Sequence, residues 1–406
     1  MKNLSEILSL FEYKVLWPAT FSLCRIGSKP DGKRILFADP YENDLTENMI
    51  PVYAALSAKG GYTLVKCFPK STDRIPKVPL LPAKIRTAAK KVYVRILRSL
   101  SYMRFLREYA KCGTLFISES YLPAYAVRRP HGTNVVQLWH GCGAFKKWGY
   151  STLDKTFGAN DRSAAAFPMH NCYTLVPVTS AEVIPHYADA FRTDSGSILP
   201  LGVPKTDVYF AAGFSPSAKA ALFSAHPELP RNKKLVLYAP TFRGNTVTSA
   251  QSGLGIDFIS MKNTLNDDCI LLLRLHPFAR KDISIPKEVK DFCFDISDVE
   301  TYIALGSADL LISDYSSIIF DYSLLERPIV FFAYDLEKYI KERDFYYPYN
   351  KFVPGPVVKT QHELESEIKK ELSSFDNSKV TNFREKFMSA CDGKSTERIL
   401  THLGLN

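Results

Sequence analysis

Two stretches decide how this chain is read: Asn134–Gly143 (NVVQLWHGCG) and Cys269–Pro277 (CILLLRLHP). Each is an apolar run of buried-strand length that ends in a histidine, His140 in the first and His276 in the second. Ligands of open parallel sheets bind outside the carboxyl ends of the strands, so two such histidines on two facing sheets would flank one substrate. Lys146 and Lys147 follow the first histidine, and Arg274 precedes the second by two residues, on the same face of an extended chain. Cations beside histidines suit phosphate, and the pairing points to phosphoryl transfer at a cleft. The alternative for each histidine is a structural one, satisfied by a buried partner.

Further short β-rich runs lie on both sides of these two. In the first half they are 34–38, 62–68, 114–118, 173–178 and 197–201; in the second half, 233–238, 291–294, 309–313 and 328–332. Helical or loop segments separate them, which predicts an α/β fold with doubly wound parallel sheets. A hinge falls at 200–216, where Gly202, Pro204, Gly213 and Pro216 punctuate the chain, so the halves are 1–205 and 206–406. The stretch 377–405 reads as helical and able to cross back onto the first half.

One segment breaks the pattern. Between Lys84 and Lys111 there are nine Lys or Arg against the single acid Glu108. On a helix, Ile85, Val92, Ile96, Leu100, Met103 and Leu106 share one side, and Arg86, Lys90, Lys91, Arg95 and Arg98 cover much of the other. That composition suits an anionic membrane surface; the other reading packs the apolar stripe on the sheet.

The 406 residues carry a formal charge of +10, which implies an anionic partner. Charge alone would also admit a nucleic-acid-binding protein, but no helix-turn-helix, RNA-recognition or zinc signature is present. The eight cysteines have no metal or CxxC spacing and read as reduced core thiols of a cytosolic protein. Cys142, in the loop after His140, is the one candidate for a Cys/His nucleophile pair. No run approaches the ~20 apolar residues of a membrane span, and residues 1–18 lack a secretory pattern.

Ser313, Asp314, Ser316 and Ser317 end an apolar run and open a helical one, placing hydroxyls and free amides where a phosphate could sit. Plain helix capping is the alternative. Arg243, after the run Tyr238–Phe242, could grip a diphosphate with two hydrogen bonds or hold a carboxylate between loops. Residues 343–347 and 354–356 form an aromatic, proline-rich loop near the same cleft.

Trp139, His140 and Gly141 with Lys146 and Gly149; Gly202, Pro204 and Asp207; 238–243; 274–277; Ser313–Ser317 with Asp321 and Tyr322; and 354–356 together resemble the CDP-glycerol glycerophosphotransferase family of teichoic-acid and capsule synthesis. The resemblance covers roughly 135–399. It implies a GT-B-like pair of Rossmann-type domains, peripheral attachment to the inner face of the cell membrane, and transfer of glycerol or ribitol phosphate from a CDP-alditol to an acceptor hydroxyl, with release of CMP. On that reading His140 is the base on the acceptor, and His276, Arg243 and Arg274 stabilise the diphosphate. Ser313, Asp314, Ser316, Ser317 and Asp321 complete the donor site. Gly141, Lys146 and Lys147 face a lipid-linked saccharide or polyol-phosphate acceptor.

Asp314 and Asp321 are candidate Mg2+ partners, yet no carboxylate cluster has metal-site spacing, so neither an obligatory metal nor another cofactor is expected. Residues 142–145 depart from the family's usual Thr, Pro, Leu, Lys at that place, which leaves polyol and acceptor open. A sugar transferase of the same architecture, using a nucleotide-sugar and attacking carbon, is the competing enzyme class.

Overall fold

The computed structural model describes residues 4–69, 83–153, 161–241, 254–275 and 285–406, with backbone alone at 83–91, 163 and 342. Twelve strands appear among them. In the first half these are β1 (Asp31–Ala38), β2 (Thr63–Cys67), β3 (Cys112–Ile117), β4 (Asn134–Gln137), β5 (Val176–Pro177) and β6 (Ile198–Leu199). The second half holds β7 (Lys234–Tyr238), β8 (Cys269–Leu273), β9 (Cys293–Asp295), β10 (Leu310–Ser313), β11 (Ile329–Phe332) and β12 (Val357–Val358). Eleven fall on the runs read from sequence. The two-residue β12 is the exception, too short to leave a pattern.

The pairings between these twelve strands are all parallel. The first sheet runs β2-β1-β3-β4, and a bridge between Val136 and Leu175 carries it on to the β5–β6 pair. The second runs β12-β11-β10-β7-β8-β9, a Rossmann order in which the chain reverses direction between β7 and β10. Central strands β3, β8, β10 and β11 are buried along their whole length, because helices cover both faces of a parallel sheet.

The chain's end returns to the first sheet. Helix Ser395–His402 places Ile399 and Leu400 in the cluster formed by Phe37, Phe116 and Val136, and the Leu405 carbonyl accepts a hydrogen bond from Tyr62 Oη at 3.0 Å. This contact spans nearly the full sequence and ties the two ends of the molecule together.

The basic segment is the helix Ala83–Tyr109. Its final turns hold Phe105, Leu106 and Tyr109 in the core, so the packed reading applies there. Val92, Ile96 and Leu100, one helical face further back, are each more than half exposed. Beside it run the amino-terminal helical turns 4–25, which expose Ile7, Phe11 and Val15, and Arg95 Nη2 pairs with Glu12 Oε2 at 2.8 Å between the two. Among the described residues no helix is long and apolar enough to cross a membrane.

Candidate active site

Strands β3 and β4 are neighbours in register, with Ile117 beside Gln137, so the residues just past each end up side by side. Trp139 adopts φ +54, a left-handed conformation that costs a non-glycine residue about 1 kcal/mol or more. Three contacts hold it. The Trp139 amide donates to Gln137 Oε1 at 2.9 Å, its carbonyl accepts from Asn48 Nδ2 at 2.7 Å, and its ring packs edge-on against Phe191. This turn throws His140 out of the sheet, leaving its side chain 58% exposed with Nδ1 2.6 Å from Glu119 Oε1. A carboxylate on Nδ1 fixes the tautomer and leaves Nε2 to take a proton.

The loop that follows crosses to the second half. Gly143, at φ +63, lies flat on Phe320: an added Cβ would stand 2.1 Å from the ring. Phe145 stacks on Phe352 and Tyr349, and Lys146 bridges Phe345 in antiparallel pairing. Lys147 donates its amide to the Asp344 carbonyl at 2.9 Å and its Nζ to Asp344 Oδ2 at 2.8 Å. His140, Gly141, Lys146, Lys147 and Ser317 thereby line one cavity of about 640 Å3, whose far wall adds Lys341 and Arg343. Four cations and one acid, Asp344, which already pairs with Lys147, give the lining a net positive charge that suits an anionic ligand.

Three residues expected at the donor are buried. Ser313 is fully buried within β10. Asp314 closes the switch point of the second sheet, its Oδ1 accepting from the Thr241 amide at 2.9 Å and from Thr241 Oγ1 at 2.7 Å, so it binds the ends of β7 and β10 to each other. Asp321 is buried and takes Lys205 Nζ at 3.0 Å. Burial alone would discharge that ammonium, but Asp321 outweighs it and Lys205 stays charged. Both carboxylates join parts of the protein. Ser316 Oγ accepts weakly from the Ile318 amide at 3.4 Å, a capping contact. Arg274 Nη2 donates to Thr301 Oγ1 at 2.8 Å. Arg243 and His276 lie outside the described residues.

The Cys142 alternative falls. Its thiol is enclosed, 3.8 Å from Asp321 Oδ1, and burial pushes its pKa well above the ordinary value, so no thiolate is available. Glu119, Asn48 and Lys205 are the residues that sequence reading missed. Only Glu119 left a signal, an acid two places beyond the apolar run of β3.

A sequence profile described as CDP-Glycerol:Poly(glycerophosphate) glycerophosphotransferase matches residues 23–404. The chain belongs to that family. Among relatives of this glycerophosphotransferase-family chain, the teichoic acid ribitol-phosphate primase of Bacillus spizizenii is 39% identical over 292 residues, 71% of this chain and 74% of that protein. The teichoic acid poly(ribitol-phosphate) polymerase of the same organism is 35% identical over 405 residues, 99% of this chain but 60% of that protein. The solved wall teichoic acid polymerase TagF shares the fold, with a TM-score of 0.74 at 22% identity over 98% of this chain and 96% of that one.

Proposed function

We propose that this family member transfers a polyol phosphate from a CDP-alditol to a hydroxyl of a teichoic-acid or capsule acceptor, releasing CMP. The observation that carries the reading is the oriented His140–Glu119 pair at the mouth of a cation-lined cavity, in a chain matched to the family over 23–404. Ribitol phosphate is the favoured group, because the ribitol-phosphate enzymes are 35–39% identical and the glycerol-phosphate ones 28–32%.

In this reaction the acceptor oxygen forms a bond to the polyol-linked phosphorus while its proton passes to His140 Nε2. Glu119 stabilises the imidazolium that results. The bond from that phosphorus to the bridging oxygen breaks, and CMP departs with the electron pair. Gly141, Lys146 and Lys147 face the acceptor's phosphates; Arg274, Ser316 and Ser317 face the donor, joined on sequence grounds by Arg243 and His276. No cofactor is required in this scheme, since the CDP-alditol is a substrate.

The two halves, divided near 205, act as GT-B-like domains with this cleft between them. Attachment to the inner face of the cell membrane rests on the apolar residues that helices 4–25 and 83–109 leave exposed. The test is to incubate purified protein with CDP-ribitol or CDP-glycerol and a lipid-linked disaccharide, and to weigh the product. CMP release with a gain of one polyol phosphate is expected. UDP release from a UDP-sugar, with none of CMP, would establish a sugar transferase instead.

A further inference from the structure

A second cavity, of about 440 Å3, shares Trp139 and His140 with the basic one and has the opposite character. Asp39, Glu42, Glu47, Glu119 and Glu300 line it, and among the described residues no Lys or Arg does. It occupies the switch point of the first sheet, since Asp39 directly follows β1 and Ser118 and Glu119 directly follow β3.

Asp39 is the residue that points to a ligand. It is 0% exposed, and its Oδ1 accepts the amides of Tyr41 at 2.9 Å and Glu42 at 3.0 Å, while the buried Oδ2 has no partner among the described residues. A buried carboxylate oxygen without a donor is costly to keep. We propose that this cavity binds a neutral polyhydroxyl group, an alditol, one of whose hydroxyls donates to Asp39 Oδ2. The proposal rests on the transferase reading above and specifies where a substrate polyol sits.

Charge selects the ligand class. Lys205 Nζ stands 3.9 Å from Glu47, Arg274 feels both Glu47 and Glu300, and Glu119 is occupied by His140. Among the described residues that line the cavity, none sets such a cation beside Asp39 and Glu42. A phosphate would meet repulsion there, whereas hydroxyls are the donors that carboxylates accept. Among the described residues no group of three or more His, Cys, Asp or Glu could hold a metal ion. Burial also pushes the Asp39 carboxyl above its usual range, with Glu119 and Glu42 adding to the effect, a penalty that a hydroxyl donor would relieve. The aromatic rings of Tyr41 and Trp139 complete the wall. His140 then stands between a phosphate space and a polyol space.

The alditol can come from the donor or from the end of the acceptor, and one experiment separates the two. In Asp39→Asn the Tyr41 and Glu42 amides keep an oxygen to bond, and the second acceptor is lost. We expect about a tenfold rise in the Kd of the CDP-alditol if the donor's polyol occupies the cavity, or in the KM of a polyol-terminated acceptor if the acceptor's does. Binding of CMP, which has no alditol, should stay within about twofold. If Asp39→Asn fails to fold, the rim substitution Glu42→Gln should shift the same constant in the same direction by about threefold. Donor and acceptor constants both unchanged, or CMP binding weakened as much as either, overturns the proposal. A parent protein that releases no CMP from either CDP-alditol would instead defeat the transferase reading itself.

Discussion

Glu119 Oε1 and His140 Nδ1 stand 2.6 Å apart although 20 residues separate them in the chain, because each lies just beyond the end of one of two adjacent parallel strands. Glu119→Gln keeps the size and removes the charge that holds the Nδ1 proton. We expect kcat to fall on the order of 10-fold to 100-fold with little change in donor KM, and His140→Ala to lower it by at least 100-fold. CMP release measured at saturating acceptor checks both, and a Glu119→Gln enzyme with parental kcat would remove the carboxylate from the mechanism.

Lys205 and Asp321 join the two halves inside the protein. Removing one partner leaves the other charge buried and unpaired, so Lys205→Met or Asp321→Leu should each cost about 3–5 kcal/mol of stability. The double variant Lys205→Met, Asp321→Leu should recover a large part of that loss. Urea unfolding of the parent and the three variants gives the coupling, and strictly additive losses would show that the pair does not act as a unit.

Gly143→Ala is a larger change than it looks. The left-handed backbone and the contact with Phe320 act together, so a loss of more than about 1 kcal/mol is expected. The loop carrying Gly141 and Lys146 should shift with it, raising acceptor KM. A thermal melt and acceptor kinetics that both match the parent would refute the close packing.

His170 predicts a pH dependence of stability. It bonds Tyr173 Oη at 2.7 Å, and burial pulls its pKa from 6.5 down to about 3. The folded protein therefore holds it neutral while the unfolded chain protonates it below 6.5. Its contribution is intact above pH 6.5, declines as pH falls, and stops changing near pH 3. At pH 5 the loss is about 2 kcal/mol, and His170→Gln should lose stability less steeply between pH 7 and 5. Equal pH slopes for parent and variant would contradict this.

Membrane attachment should depend more on apolar than on basic residues. Arg95 is already engaged by Glu12, whereas Phe11, Ile96 and Leu100 are exposed. Ile96→Asp together with Leu100→Asp should abolish sedimentation with anionic vesicles, while Arg95→Gln should change it little. Vesicle binding that survives the two Asp substitutions would place the contact elsewhere.

The sequence by itself determined the parallel α/β fold, eleven of the twelve strands and the position of His140. Buried strands of a parallel sheet are continuous apolar runs with ligand residues at their carboxyl ends, and both are local properties of the chain. It also determined the family, because motifs in fixed order survive in one dimension. Tertiary structure alone decided the duties of the carboxylates. Asp314 and Asp321 look like ligand residues in sequence, yet one ties β7 to β10 through Thr241 and the other holds Lys205. Glu119 and Asp39, unremarked in the sequence, face cavities because the strand order brings β1, β3 and β4 side by side. A carboxylate's role depends on which donor is within about 3 Å, and chain folding brings in those donors from distant positions.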